Sequence, residues 1–220
     1  MAEVLRNINP SSLYRYRGLR EFEREISAIE SATLWCSAYK KLNDPMEGVY
    51  RTSRQLRESK NYLNTRKLIA SNKANLGICS FSESHRNELM WAHYADEYKG
   101  ICIEYRFSSL LTNLNQDVSF ARIHYSESAP TAIMKMKPEQ MAQNLLSYKN
   151  YRWLYEREWR MFGPHGKIPY ISAKCVRRIY LGIRIKESHK DEIKHRLAPL
   201  RIEVKKMSLD KYSMEFEDCE

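Results

Sequence analysis

The chain has 220 residues, of which 43% are hydrophobic and 29% are charged, a composition that suits one folded domain and excludes a disordered chain. Its 37 basic and 27 acidic residues leave a net charge of +10, which favours polyanionic partners such as nucleic acids and nucleotides. No apolar run approaches the roughly 20 residues that span a bilayer, and the first residues contain no apolar secretion segment.

The cysteines are few and widely spaced. Cys36, Cys79, Cys102, Cys175 and Cys219 form no C-x-x-C pair, which argues against a disulfide framework and against a zinc site. No other set of residues has metal-ligand spacing, so we expect no metal. The sequence therefore indicates a reduced, cytosolic protein.

Local patterns predict an α+β fold. Apolar or alternating runs predict strands at residues 13–17, 33–37, 76–81, 101–105, 118–125, 159–162, 178–182 and 200–204. Helical spacing or a proline start predicts helices at residues 19–31, 49–70, 84–98, 138–149 and 187–197. We expect a single domain over residues 1–220, with a central mixed or split β-sheet flanked by helices. Its core would cover about residues 13–205, and a loose acidic tail about residues 213–220.

Basic residues recur at every third position after residue 50. Arg51, Arg54, Arg57 and Lys60 would lie along one side of the helix predicted at residues 49–70. Such a stripe is either a solvated helix face or a surface that binds nucleic acid.

Two serines flank a phenylalanine at the end of a predicted strand. Because side chains alternate along a strand, Ser80 and Ser82 share one face and Phe81 takes the other. With Phe81 in the core, both hydroxyls would face a cleft. Alternatively, Ser82 only caps the helix that follows.

Two glutamates lie one residue apart among aromatic and basic residues. In an extended segment, Glu156 and Glu158 share a face, and each raises the pKa of the other. Alternatively, they pair at the surface with Arg152, Arg157 or Arg160.

Two arginines share a face of the first predicted strand. Arg15 and Arg17 would be costly to bury unless they meet an anion. That anion is either a ligand or a structural carboxylate such as Asp44 or Glu47.

His93 follows Leu89 by one helical turn in the helix predicted at residues 84–98. This spacing favours a histidine buried in the core.

Six sequence blocks resemble an uncharacterised microbial family, a domain of unknown function. The resemblance covers roughly residues 13–182, and its most specific block is LMWAHYAD. The blocks are LYRYR (13–17), LNDPME (42–47), CSFSE (79–83), LMWAHYAD (89–96), GICIE (100–104) and YEREWR (155–160).

The order of arginine, Ser-x-Ser and Glu-x-Glu is also distantly similar to mono-ADP-ribosyltransferases. In those enzymes an early strand carries the arginine, and the serine motif ends a strand that leads into a helix. The Glu-x-Glu precedes a late strand. Phe81 stands where the serine motif of those enzymes has threonine.

This resemblance implies an NAD-dependent ADP-ribosyltransferase or NAD glycohydrolase. NAD would be the substrate, and the acceptor would be a protein or a nucleic acid. Glu158 would stabilise the transition state, Glu156 would orient or deprotonate the acceptor, and Ser80 would support Glu158. Arg17, or alternatively Arg15, would hold the pyrophosphate. The resemblance also implies NAD contacts from Ser82, His93 and Tyr94, with Tyr94 or Trp91 stacking on nicotinamide.

Two other classes of function remain open from the residues. A nucleic-acid-binding or nuclease-like protein would use the stripe from Arg51 to Lys60, and a nuclease would need acids such as Asp44, Glu47 and Glu104. In a non-enzymatic interaction module, LMWAHYAD would only be core packing.

Overall fold

A ten-stranded mixed sheet runs through the part of the chain that the computed structural model describes, residues 9–114 and 117–219. The strands are β1 (Ser12–Arg17), β2 (Thr33–Ala38), β3 (Arg51–Thr52), β4 (Gly77–Ser82), β5 (Ile101–Arg106), β6 (Ser119–Arg122), β7 (His124–Ser126), β8 (Thr131–Ala132), β9 (Tyr148–Asn150), β10 (Glu158–Gly163), β11 (Gly166–Pro169), β12 (Val176–Leu181), β13 (Glu203–Asp210) and β14 (Ser213–Asp218). Strands β3 and β8 form a separate parallel pair, as do β7 and β9.

The helices are α1 (Phe22–Glu30), α2 (Arg54–Arg57), α3 (Tyr62–Asn75), α4 (Glu88–Tyr94), α5 (Phe107–Asn113), α6 (Pro138–Leu145) and α7 (Glu187–Leu197). Helices α1, α4, α5 and α7 pack with strands of the sheet, whereas α2, α3 and α6 meet in a separate apolar cluster. Within the sheet β12 and β13 are parallel, whereas the other pairs are antiparallel. The predicted α+β class, with one domain and a mixed sheet flanked by helices, is confirmed.

The two faces of the sheet have different roles. One face carries Leu13, Phe81 and Trp159, which belong to the main core together with Ile26 of α1 and Ile193 of α7. Because alternate residues of a strand point to opposite faces, the residues between them point the other way. That second face carries Ser80 and Ser82 of β4 and Glu158 and Arg160 of β10, whereas Arg15 and Arg17 of β1 share the face of Leu13.

The basic stripe does not lie on one helix. Arg51 belongs to β3, Arg54 and Arg57 to the short helix α2, and Lys60 to the turn before α3. The chain breaks there because Ser53 caps α2, and because Leu56 and Ile69 are buried on separate elements of one apolar cluster. The prediction of a single helix over residues 49–70 was therefore wrong.

Three further predicted boundaries were wrong. The helix expected at residues 138–149 ends at Leu145, and the chain then enters β9. The helix expected at residues 84–98 is only Glu88–Tyr94, because three consecutive residues after it, Asp96, Glu97 and Tyr98, adopt positive φ. The acidic segment expected to be a loose tail forms β14, which pairs with β13 from Ser213 to Asp218 and buries Met214.

None of the helices in the described ranges is both long enough and apolar enough to cross a membrane.

Candidate active site

The sheet is interrupted along one edge of β4. Strand β10 pairs with all six residues of β4, so β1 and β2 share its other edge. Strand β1 reaches that edge only where Tyr14 pairs with Ser82, and β2 only where Ser37 and Ala38 pair with Ile78 and Gly77. Among the described residues, the middle of β4 therefore has no neighbouring strand on this side. We call this opening the β4 gap.

A cavity of about 220 Å³ lies at the β4 gap. Its lining includes Arg15 and Arg17 from β1, Ser80 and Ser82 from β4, and Glu158 from β10. These residues are far apart in the sequence, and strand pairing brings them together.

The strand register explains why the polar side chains share a face. Glu158 pairs with Ser82, and Arg160 pairs with Ser80. Tyr14 of β1 also pairs with Ser82 and, on its other side, with Glu104 of β5. Residues that are partners in neighbouring strands point to the same face. Glu104 and Glu158 therefore stand in one row across the sheet, but only Glu158 lines the cavity.

Arg160 is completely buried and links two carboxylates. Its Nε donates to Glu158 Oε1 at 2.7 Å, and its Nη1 donates to Glu47 Oε2 at 2.8 Å. The same Nη1 donates to the carbonyl oxygen of Leu146 at 2.7 Å. A planar guanidinium suits this arrangement because its donors point in fixed directions toward several acceptors.

Lys149 is a second buried cation of this network. Its Nζ donates to Glu156 Oε2, lies 3.1 Å from Glu158 Oε2, and stands over the ring of Trp153. The hydroxyl of Tyr94 donates to the other oxygen of Glu156. Glu156 and Glu158 thus meet at one lysine at the cavity wall.

The network shifts the pKa values of the two carboxyl groups in opposite directions. Burial raises the pKa of Glu156 despite the charge of Lys149, and the charge of Glu158 adds to the rise. Burial alone would also raise the pKa of Glu158, but Arg160 and Lys149 outweigh it and hold that pKa below its ordinary value. A hydrogen bond from Ser80 acts in the same direction as the two cations.

When all groups are ionised, the network carries one uncompensated negative charge. Glu47, Glu156 and Glu158 contribute three negative charges, whereas Lys149 and Arg160 contribute two positive charges. Arg15, Arg17 and Lys41 also line the cavity, so this excess of negative charge belongs to the network and not to the whole cavity. Beside Glu156 and Glu158 it favours positive charge that develops on a ligand.

The two glutamates converge without the extended segment that the sequence predicts. Glu156 ends a 3-10 helix at Tyr151–Glu156, and Glu158 begins β10. Arg157 between them has a left-handed conformation with φ of 45°. This turn, rather than strand alternation, brings both side chains to Lys149.

Ser82 is held by the protein backbone. Its hydroxyl donates to the carbonyl oxygen of Glu156 at 2.7 Å and accepts from the amide of Ser84 at 3.3 Å. At 1% exposure it ties β4 to the Glu-x-Glu turn. Of the two serines, Ser80 is the more exposed to the cavity.

The two arginines of β1 line the cavity but have different partners. Arg17 forms two hydrogen bonds with Glu25 of α1, at 2.6 Å and 2.5 Å. Arg15 donates from Nη2 to the carbonyl oxygen of Trp35 at 3.2 Å. The anion that meets Arg17 is therefore a structural carboxylate, one of the two alternatives from the sequence, but it is Glu25 and not Asp44 or Glu47.

Of the α4 residues considered from the sequence, the structure places only Tyr94 at the cavity. His93 is exposed and does not line the cavity, so the prediction of a core histidine was wrong. Trp91 is fully buried against Tyr16, which excludes it from stacking on a ligand. Tyr94 does line the cavity.

The acids considered for a nuclease do not form one group. Glu47 binds Arg160, Asp44 accepts from the amide of Met46, and Glu104 accepts from the hydroxyls of Ser12 and Tyr180. Within the described ranges, no three His, Cys, Asp or Glu residues are placed to hold a metal ion.

Sequence patterns missed several residues of the cavity, and three of them matter for the network and the opening. Lys149 was assigned to the end of a helix, and Trp35 only to a strand. Glu47 was considered as an acid but not as the partner of Arg160. No local signal marks Lys149, because its position depends on the pairing of β9 with β7.

Residues 90–161 match the model of a protein family described as a protein of unknown function (DUF2971). The matched segment is about a third of the chain, and it agrees with the expected resemblance to an uncharacterised family. It contains Lys149, Glu156, Glu158 and Arg160 but not the serines of β4 or the arginines of β1. No curated protein and no solved structure matches the chain.

Proposed function

We propose that this protein cleaves the bond between nicotinamide and ribose in NAD and passes ADP-ribose to a macromolecular acceptor or to water. One observation carries the proposal. The arginine, Ser-x-Ser and Glu-x-Glu residues that resemble the motifs of mono-ADP-ribosyltransferases all contribute to one cavity at the β4 gap.

The chemistry requires stabilisation of a developing positive charge. As the bond between C1′ of the ribose and the nicotinamide nitrogen breaks, both bonding electrons leave with nicotinamide, and the ribose becomes oxocarbenium-like. Glu158, which Arg160 and Lys149 keep ionised, stabilises this charge more in the transition state than in the ground state. Ser80 supports Glu158 by a hydrogen bond.

Glu156 completes the reaction by accepting a proton. The acceptor attacks C1′ and loses its proton, and the Glu156 carboxylate takes that proton up. The raised pKa of Glu156 suits this role, because a general base works best when its pKa is near the working pH. Tyr94 and Lys149 hold the carboxylate in place.

Arg15 is a better pyrophosphate contact than Arg17. Arg17 donates two hydrogen bonds to the Glu25 carboxylate, which neutralises its charge, whereas Arg15 donates to an uncharged carbonyl group. The cavity of about 220 Å³ is smaller than the roughly 300–1,000 Å³ of sites that enclose a whole ligand. It therefore takes the nicotinamide and its ribose, and the rest of NAD lies along the opening.

The charge of the protein favours a polyanionic acceptor. The net charge is +10, and Arg51, Arg54, Arg57 and Lys60 are all exposed. Although these residues lie on separate elements, together they present positive charge that attracts nucleic acid or an acidic protein.

The test uses NAD labelled in its adenylate group, incubated with the protein and cell lysate. Label in protease-sensitive or nuclease-sensitive material identifies a transferase and the class of its acceptor, and labelled free ADP-ribose identifies a glycohydrolase. Glu156→Gln should lower transfer by about 10²-fold or more, because it removes the general base. Glu104→Gln, which alters a buried glutamate outside the cavity that accepts from Ser12 and Tyr180, is the matched control and should keep the wild-type rate.

Failure of the wild-type protein to consume or bind NAD would overturn the proposal. Salt-titrated binding to DNA and RNA would then be the next measurement, because phosphate contacts weaken steeply as salt rises.

A further inference from the structure

Trp35 is a large aromatic residue left half-exposed beside the β4 gap. It is 53% exposed and contributes to the cavity lining. On β2 it shares a face with Ser37, which pairs with Ile78 two residues before Ser80. The indole ring therefore borders the opening of the cavity and not the main core.

Positive charge lines the same cavity as this ring. Arg15 donates to the carbonyl oxygen of Trp35 itself, and Lys41, which is exposed, lines the same cavity. A phosphate group bound by Arg15 would lie next to Trp35. Basic groups beside an exposed aromatic ring form the combination that binds a phosphate and stacks on the base attached to it.

We infer that Trp35 stacks on the adenine ring of NAD, an inference that rests on the proposed function. The cavity holds the nicotinamide end near Glu158, Arg15 meets the pyrophosphate, and the adenosine beyond it reaches Trp35. Trp35 thus determines the preference for the dinucleotide over nicotinamide mononucleotide, which has the same scissile bond and no adenosine.

The test measures KM and kcat for NAD and for nicotinamide mononucleotide in the wild-type protein, Trp35→Ala and Trp35→Phe. Trp35→Ala should raise KM for NAD by about tenfold or more without changing kcat, because stacking on one base contributes that much to binding. Its kinetics with nicotinamide mononucleotide should stay at wild-type values. Trp35→Phe, which keeps an aromatic surface, should recover most of the affinity for NAD.

Tyr212→Ala is the matched control. Tyr212 is fully exposed at the turn between β13 and β14, so its loss should leave KM and kcat unchanged for both substrates. Equal effects of Trp35→Ala on both substrates, or no effect on either, would overturn the inference.

Binding of AMP, measured by calorimetry, separates this inference from the proposed function. AMP has the adenine and a phosphate but no bond to cleave. If the wild-type protein binds AMP and Trp35→Ala weakens binding by about tenfold, the adenine site stands even without NAD turnover. If AMP binds both proteins equally, or does not bind the wild-type protein, the inference fails even when NAD is cleaved.

Discussion

Arg160 joins two parts of the cavity wall that are distant in the chain. Its guanidinium group binds Glu158 on its own strand and Glu47 on the loop before β3. Breaking a buried ion pair is costly because the remaining charge has no partner and no water. Because Arg160 holds both carboxylates, the position of Glu158 depends on the fold of the residues around Glu47.

Replacing Arg160 by Met should lower the free energy of unfolding by about 3–5 kcal/mol, because Glu47 and Glu158 would remain buried without the cation. Equilibrium urea unfolding measures the change. Arg54→Met is the control: Arg54 pairs with Glu58 at the surface with its side chain 84% exposed, and its loss should cost less than about 0.5 kcal/mol. Similar losses in the two variants would show that the buried network does not stabilise the fold.

For single residues, the sequence indicated which glutamates belong to the site better than it indicated which residues they bind. Pairing of Glu158 with Arg160 was one of the alternatives, but it was expected at the surface, whereas Arg160 is fully buried. Lys149 had no signal, because it reaches Glu156 only through the pairing of two short strands, β7 and β9. Ion pairs formed by long-range pairing leave no periodic pattern in the sequence.

The turn after α4 packs against the end of β12. Asp96, Glu97 and Tyr98 have φ of 49°, 55° and 69°, and the carbonyl oxygen of Tyr98 accepts from the amide of Arg184 at 3.0 Å. This carbonyl group also packs directly against Gly182, where a Cβ would lie 2.0 Å from the oxygen. Only glycine fits at this contact.

Gly182→Ala should therefore lower the free energy of unfolding by about 1–3 kcal/mol or more, since a side chain would force β12 away from the turn. Chemical denaturation compares it with Gly18→Ala, whose Cβ would meet its nearest neighbour, Asp96 Cβ, at 3.3 Å. The Gly18 variant should be much less affected. Equal stability of the two variants would contradict this packing.

The same turn explains why element boundaries were the least accurate predictions. Apolar spacing in residues 84–98 continues past the end of α4, but the left-handed residues stop the helix. In residues 49–70, spacing could not reveal that Leu56 and Ile69 reach one cluster from two different helices. Strands such as β4 and β5 were predicted well, because buried apolar runs are short and clearly bounded.

At the scale of the molecule, the site lies where one edge of β4 has no neighbouring strand. Strands β1 and β2 meet β4 only at its ends, and the β4 gap places groups from three strands around one cavity. The α+β class followed from the alternation of strands and helices along the chain. The gap itself could not be predicted, because it is a property of strand order and register and not of any single segment.

The rate of nicotinamide release by Glu158→Gln tests the central claim most directly. Glu104→Gln is the control, because Glu104 is equally buried and stands in the same row of the sheet without lining the cavity. With both variants folded, we predict that Glu158→Gln loses about 10²-fold or more of kcat, as expected when a charge-stabilising group is removed, and that Glu104→Gln keeps the wild-type kcat. A Glu158→Gln variant that releases nicotinamide at the wild-type rate would contradict the assignment of this cavity as the active site.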